Sequence, residues 1–239
     1  MMARIVKEHE YKKKRNEILD AAQRFIYTKG YERMTIGDIL ADLQISSGAF
    51  YHYFDSKPAV LEGLIERIKE EVETPLLPIL HDPHLSALEK LQGFFNTLDN
   101  LRIARKTDVV KLGHVWYADS NAIVRQKVEE AVLKQRVPLL NVIIQQGIQE
   151  GIFTSPYPDQ IGEAILFLLQ GMGTTHAKLL LSLAQEQDEQ RCIERIISIH
   201  AAYMDAIERV LGAPLNSLYR ISADMVEVWV KVIKDDASN

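Results

Sequence analysis

The chain is short of most features that announce chemistry. It holds one cysteine, Cys192, so no disulfide can close within it, and a reducing compartment is expected. No run approaches eighteen apolar residues and the N-terminus has no apolar signal core, so neither a membrane span nor export is predicted. Cytoplasm is the expected location. No segment alternates apolar and polar residues as a strand would, and no internal repeat is present. A glycine-rich phosphate loop, a nucleophile elbow and a paired-histidine metalloprotease motif are all missing, so the sequence points to no enzyme and to no cofactor. Positive charge is scarce as well: the net charge is −5, which taken alone argues against a nucleic-acid partner.

The distribution of charge says more than its sum. Residues 1–57 carry ten Lys/Arg against eight Asp/Glu, and six of those bases precede Asn16, including Lys12-Lys13-Lys14-Arg15. A basic end on an acidic body is expected when one region alone meets phosphate. Two weaker features point nowhere. His81 and His84 flank Asp82 in a proline-rich connector with no partner thiolate, which reads as a solvated loop and not a metal site. Cys192 lies near Arg191 and Arg195, which could lower a thiol pKa, but a lone helical cysteine reads as a small packed residue.

What is present is concentrated between Thr35 and Lys57. Thr35 is placed to cap a helix with Asp38 as its capping-box partner, and Met34 and Ile39 stand at the staple positions. Ile36, Ile39, Leu40 and Leu43 recur at helical spacing. Ser46 can cap a second helix with Ile45, Phe50 and Phe54 on its apolar side. The other side carries Ser47, Gly48, Ala49, Tyr51, His52 and Tyr53, with Lys57 following: small residues and donors suited to phosphate oxygens and a close duplex. This is a helix-turn-helix.

The run from Ile45 to Lys57 (ISSGAFYHYFDSK) resembles the recognition-helix signature of TetR-type transcriptional regulators: aliphatic, Ser, any, Gly, any, aromatic or Leu, Tyr, any, Tyr or His, Phe, two variable residues, Lys. It departs at Gln44, where the family usually has Gly for a left-handed turn; a side chain there costs roughly 1 kcal/mol. The stretch IQQGIQEGIF, from Ile144 to Phe153, is similar to the segment closing the long central helix of such proteins. The resemblance implies an all-α fold: an N-terminal arm and three-helix DNA-binding domain over 1–57, then a helical ligand-binding and dimerisation domain over 58–239. It implies a double-stranded operator as partner. Thr35, Ser46, Tyr51, Tyr53 and Lys57 would hold the DNA backbone, and Ser47, Gly48, Ala49 and His52 would meet base edges. A repressor released by a small, largely apolar effector is the expected activity. A regulator that activates, or that needs its ligand as co-repressor, fits the same residues; an all-α carrier or enzyme lacks a supporting cluster.

The remaining chain sets further expectations. Residues 1–11 read as a flexible arm, and about 12–29 as a first helix stopped by Gly30. A fourth helix from Pro58 should end before Pro75, as the sole covalent link onward, with PLLPILHDP as connector. Helices follow at about 84–105 (capped by Asp82-Pro83), 108–118 and 121–150, the last kinked or split at Pro138. Two apolar helices near 159–185 and 188–211 should pair with their copies in a homodimer. An extra helix, about 215–233, exceeds the usual plan. Phe94, His114, Trp116, Tyr117, Phe167, Met172, His176 and Tyr203 are the candidate walls of the effector pocket. Gly171 and Gly173, inside a helix, either admit close packing or leave space for a ligand.

Overall fold

A computed structural model describes residues 2–116, 121–183 and 188–237. Among these residues there are ten helices and no strand: α1 (Met2–Lys29), α2 (Ile36–Leu43), α3 (Ser47–Tyr51), α4 (Lys57–His81), α5 (Ala87–Ala104), α6 (Lys106–Trp116), α7 (Ala122–Gln149), α8 (Pro158–Ser182), α9 (Glu189–Leu211) and α10 (Ala223–Ala237). The all-α class is as the sequence predicts, and several boundaries differ. Residues expected as a flexible arm continue α1 toward the N-terminus. α4 runs through Pro75 and Pro78 to His81 where a connector was expected. An internal proline costs about 3 kcal/mol; here the burial of Leu76 and Leu80 in the core works against that cost. α5 starts later than expected, because Ser86 and not Asp82 caps it: Ser86 and Glu89 form a full capping box. Asp82 instead accepts the His84 N–H at 2.9 Å. α7 passes Pro138 unbroken. The last helix begins at Ala223, after irregular chain over 213–222.

The helices gather into two compact units: Met1–Glu70 with His114–Glu129, and Glu71–Gly113 with Glu130–Asn239. The division expected between residues 57 and 58 therefore falls elsewhere. Val60, Leu61 and Leu64 are buried with Ile18, Leu19, Ile39 and Phe50, so the start of α4 belongs to the first core. Val124 is buried there too, and Trp116 and Val128 pack against it. Asn121, 2% exposed, accepts the Tyr31 N–H at 2.7 Å and so fastens the turn after α1. α4 is consequently not the sole covalent link: the chain passes between units after Glu70, after Gly113 and after Glu129.

The second unit is built on Phe94, Leu140, Ile143, Ile144, Phe153 and Ile165, with α9 contributing Met204, Ile207 and Leu211. α8 is long and apolar enough, by length and composition, to cross a membrane. Ile161, Ile165, Leu166 and Met172 are buried in this core, while Phe167 is exposed and Leu168, Leu169, Leu179 and Leu180 are half-buried. Gly171 resolves one alternative, since a Cβ there would meet the Tyr203 hydroxyl at 3.1 Å: it admits close packing of α9 on α8. Gly173 has open space around it.

One buried charge organises the end of this unit. Glu208, 0% exposed, accepts both carboxylate bonds from Arg220 at 3.0 Å and the N–H groups of Asn216 and Leu218 at 2.9 Å. Burial pushes its carboxyl up, but the Leu218 N–H, Arg220 and the Asn216 N–H outweigh burial and hold it below the ordinary value. Removing one partner of a buried pair costs about 3–5 kcal/mol, and Arg220 keeps some solvent exposure. Glu208→Gln is therefore expected to lower stability by about 3 kcal/mol, measured by urea denaturation at neutral pH. A depressed carboxyl stabilises above its unfolded value of 4.5 and loses that contribution as pH falls through its folded value, so the difference between variant and parent should shrink in acid.

Candidate functional site

In the first unit the local sequence separates the residues that fold α2 and α3 from those left facing solvent. The Thr35 hydroxyl accepts the Asp38 N–H at 3.2 Å, and the Asp38 carboxylate accepts the Thr35 N–H at 2.7 Å, a complete capping box. Lys29 reaches the same carboxylate at 2.5 Å, joining α1 to α2. With Lys29 as the main cause and Thr35 next, the Asp38 carboxyl is held down at about 2. Arg24 makes a second link to α2 through Asp42 at 2.6 Å. Gln44 follows in the left-handed region at φ 52°, its N–H bonding Leu40. The turn that usually carries glycine keeps its left-handed geometry with a side chain in place, at the expected strain of about 1 kcal/mol.

Ser46 caps α3 by accepting the Ala49 N–H at 3.2 Å. Phe50 and Phe54 are buried in the core, and Arg15 lies over the Phe54 ring at 5.0 Å. The opposite side is free of such duties at Ser47, Gly48, Tyr51 and His52, which are exposed, Tyr51 by 50%; the capping Ser46 is exposed as well. Ala49 and Tyr53 are half-buried. A Cβ built on Gly48 meets nothing within 4 Å, so the fold does not require glycine there. Two expected backbone contacts have internal engagements. Lys57 donates to the Glu32 carbonyl at 3.0 Å and lies 4.4 Å from the centre of the Tyr31 ring. The Thr35 hydroxyl also donates to Asp38 at 2.7 Å. Tyr11 is a residue that sequence reading missed: its ring packs at 4.8 Å on Tyr53 and 5.7 Å on His52. Its one signal was an aromatic residue beside the basic run of α1.

The second unit contains a cavity of about 80 Å³ between α5, α7, α8, α9 and the segment before α10. Phe95, Leu98, Val132, Leu166, Leu169 and Met172 supply apolar walls; Asp99, Arg102, Arg136, His200 and Tyr219 supply polar ones. Burial brings the Arg136 guanidinium down to about 10, with the Arg102 charge adding to the effect, so it stays protonated at neutral pH. Burial likewise lowers His200 and its stacked neighbour His176 to about 4, leaving both imidazoles neutral. Asp99 and Tyr219 are raised by burial.

Of the pocket candidates, Met172 lines this cavity, and His176, not itself a wall, has its ring 6.0 Å from that of the lining His200. Phe94 is fully buried in the core while its neighbour Phe95 forms the wall. Tyr203 is half-buried against Gly171. Phe167 is 53% exposed on α8 and is not a wall of this cavity. Trp116 belongs to the other unit, where its carbonyl accepts from Arg125 at 2.7 Å. Tyr117 and the side chain of His114 lie outside the described residues. The missed polar walls had one legible signal: Arg136 interrupts the apolar set Val132, Leu133, Val137 and Leu140 on α7.

Residues 18–64 match the profile of bacterial regulatory proteins of the tetR family, and residues 110–172 match a tetracyclin repressor-like C-terminal domain. The chain is 40% identical over 70 residues to the nucleoid occlusion factor SlmA of Photobacterium profundum, covering 29% of this chain and 36% of that protein, about a third of its length. It is 26% identical over 144 residues to the HTH-type transcriptional repressor KstR2 of Mycobacterium tuberculosis, covering 59% and 69%. The reduced form of NemR from E. coli superposes with a TM-score of 0.53 at 17% identity, covering 84% of this chain and 98% of that one, a likeness of fold.

The open space at Gly48 lets the expected DNA contact be tested apart from folding. Gly48→Ala should leave thermal stability equal or higher by about 0.5 kcal/mol, from helix propensity. It should weaken specific DNA binding at least tenfold, as read by fluorescence anisotropy.

Proposed function

The chain belongs to the tetR family of bacterial regulatory proteins, and we propose that it represses transcription as a homodimer released from a palindromic operator by a small molecule. The observation that carries this reading is the exposed side of α3, where small residues and donors stand clear while Phe50 and Phe54 anchor the helix. Ser47, Gly48, Ala49 and His52 meet base edges in the major groove; Thr35, Ser46, Tyr51, Tyr53 and Lys57 hold phosphates. Such a protein works in the cytoplasm, where its operator is. A regulator of this kind needs no catalytic group.

Two copies are needed because a palindrome presents two half-sites about one duplex turn apart. Phe167, exposed by 53% on α8, and the half-buried Leu168, Leu179 and Leu180 offer the apolar surface for the second copy. The effector occupies the cavity in the second unit. α7 supplies Val132 and Arg136 to that cavity and Val124 and Val128 to the core beneath the recognition helix, so a shift of α7 reaches both. By linkage, an effector that weakens DNA binding binds the DNA-bound form less well by the same factor. The opposite sign of coupling would make the ligand a co-repressor, and comparing DNA affinity with and without ligand separates the two.

The test of DNA reading is anisotropy on DNA upstream of the protein's own gene, followed by genome-wide selection, across a salt series. Wild type should bind one site far better than random DNA. Lys57→Ala should lose affinity and flatten the log–log salt slope by about 0.9 for each phosphate that the lysine no longer neutralises. It should also cost about 1 kcal/mol of stability, because the bond to Glu32 is gone. Binding no better than to random DNA at every sequence would sink the reading. For the dimer, Phe167→Asp should shift sedimentation toward monomer and abolish tight binding to the palindrome while leaving the far-ultraviolet helix signal intact.

A further inference from the structure

Among the described residues, the cavity holds a cation whose buried donor goes unanswered. Arg136 Nε is buried and has no hydrogen-bond acceptor. A guanidinium carries five donors in a planar fork and accepts nothing, so an acceptor (an anion, a carbonyl oxygen or water) must answer it, and an anion also answers its charge. Within the cavity wall, Arg102 adds a second positive charge, and the one carboxylate among the described lining residues, Asp99, already faces Arg102 at 3.4 Å. His200 contributes no charge at neutral pH. Two fixed positive groups thus stand against at most one negative group, among walls that are otherwise mostly hydrocarbon.

A purely apolar ligand would strip water from Arg136 and give nothing back, which is unfavourable for a buried charge. A ligand with an anionic head and an apolar body answers both parts of the site. A carboxylate matches the guanidinium fork in two parallel bonds, with geometry that a point charge does not supply. We propose that the effector is a small amphiphilic organic acid, its carboxylate paired with Arg136 and its hydrocarbon laid against Phe95, Leu98, Leu166 and Met172. This narrows the expectation of a largely apolar effector, and it rests on the effector reading given above. The volume, about 80 Å³, is below the roughly 150 Å³ that admit benzene, so only the shortest acids enter without movement of the walls. Longer acids require Met172 and Met204, unbranched and easily re-aimed, to move.

Isothermal titration calorimetry of the full chain with hexanoate and with hexanamide, equal in shape and differing in charge, tests the assignment. Hexanoate should bind at least tenfold more tightly than hexanamide. In Arg136→Met the preference should fall to near one while hexanamide still binds, which also reports that the variant is folded. If Arg136→Met does not fold, Arg136→Lys takes its place and should keep part of the preference, because it keeps the charge and loses the fork. Equal binding of acid and amide to wild type, binding of neither at millimolar concentration, or a preference that survives Arg136→Met would each overturn the proposal. The regulator reading is judged separately, by DNA binding of the ligand-free protein. An uncharged effector that releases DNA would leave that reading standing and remove this one.

Discussion

The buried carboxylate of Glu208 is the interaction on which the second unit most depends. Charge is taken out of water there, and four hydrogen bonds replace the lost hydration. Two come from backbone N–H groups of a segment with no regular structure, so Glu208 gives that irregular chain a fixed path across the end of α9. Leu218 and Arg220 are both held, and the residue between them, Tyr219, is a wall of the cavity. The shape of a candidate ligand site is thereby set by an ion pair that does not itself line it.

In the first unit the division of labour runs within single helices. Capping and core packing use Thr35, Asp38, Ser46, Phe50 and Phe54. Ser47, Gly48 and Tyr51 are spared these tasks. A surface that carries no folding duty can vary in sequence without unfolding the protein, which suits a family of proteins that share a fold. Lys57 and Thr35 are different, because each is tied to its own unit by a hydrogen bond. In the DNA-binding role proposed for them, these groups would already be held in place, and a group held in place loses less freedom on binding.

The helix-turn-helix was legible because its signals are local. A capping box, a staple and an apolar spacing each span a few residues, and the structure shows the cap, the left-handed Gln44 and the buried phenylalanines where the spacing places them. The long apolar helices expected near 159–185 and 188–211 are found as α8 and α9, and α8 ends earlier, at Ser182. The cavity was not legible. Its walls come from residues far apart in sequence, and side chains chosen by type gave Met172 as a wall but also Phe167, which is exposed. Arg136, Arg102 and Asp99 went unnoticed because a charge on a helix normally reads as solvated. α4 was cut short in expectation at Pro75, where burial of Leu76 and Leu80 overrode the local preference. The extra helix starts late, because Glu208 fastens the stretch before it in an irregular path.

The insertion of residues 114–129 into the first unit bears on how such regulators can be recombined. A graft that carries only the N-terminal segment leaves behind Asn121, and with it the acceptor for the Tyr31 N–H, and also Val124 and Val128, which join the core of the first unit. The first unit is a discontinuous cassette, made of two pieces of chain separated by part of the second unit. Exchange between relatives preserves it when both pieces travel together, or when the recipient's equivalent piece offers a carboxamide and two aliphatic side chains at the same places.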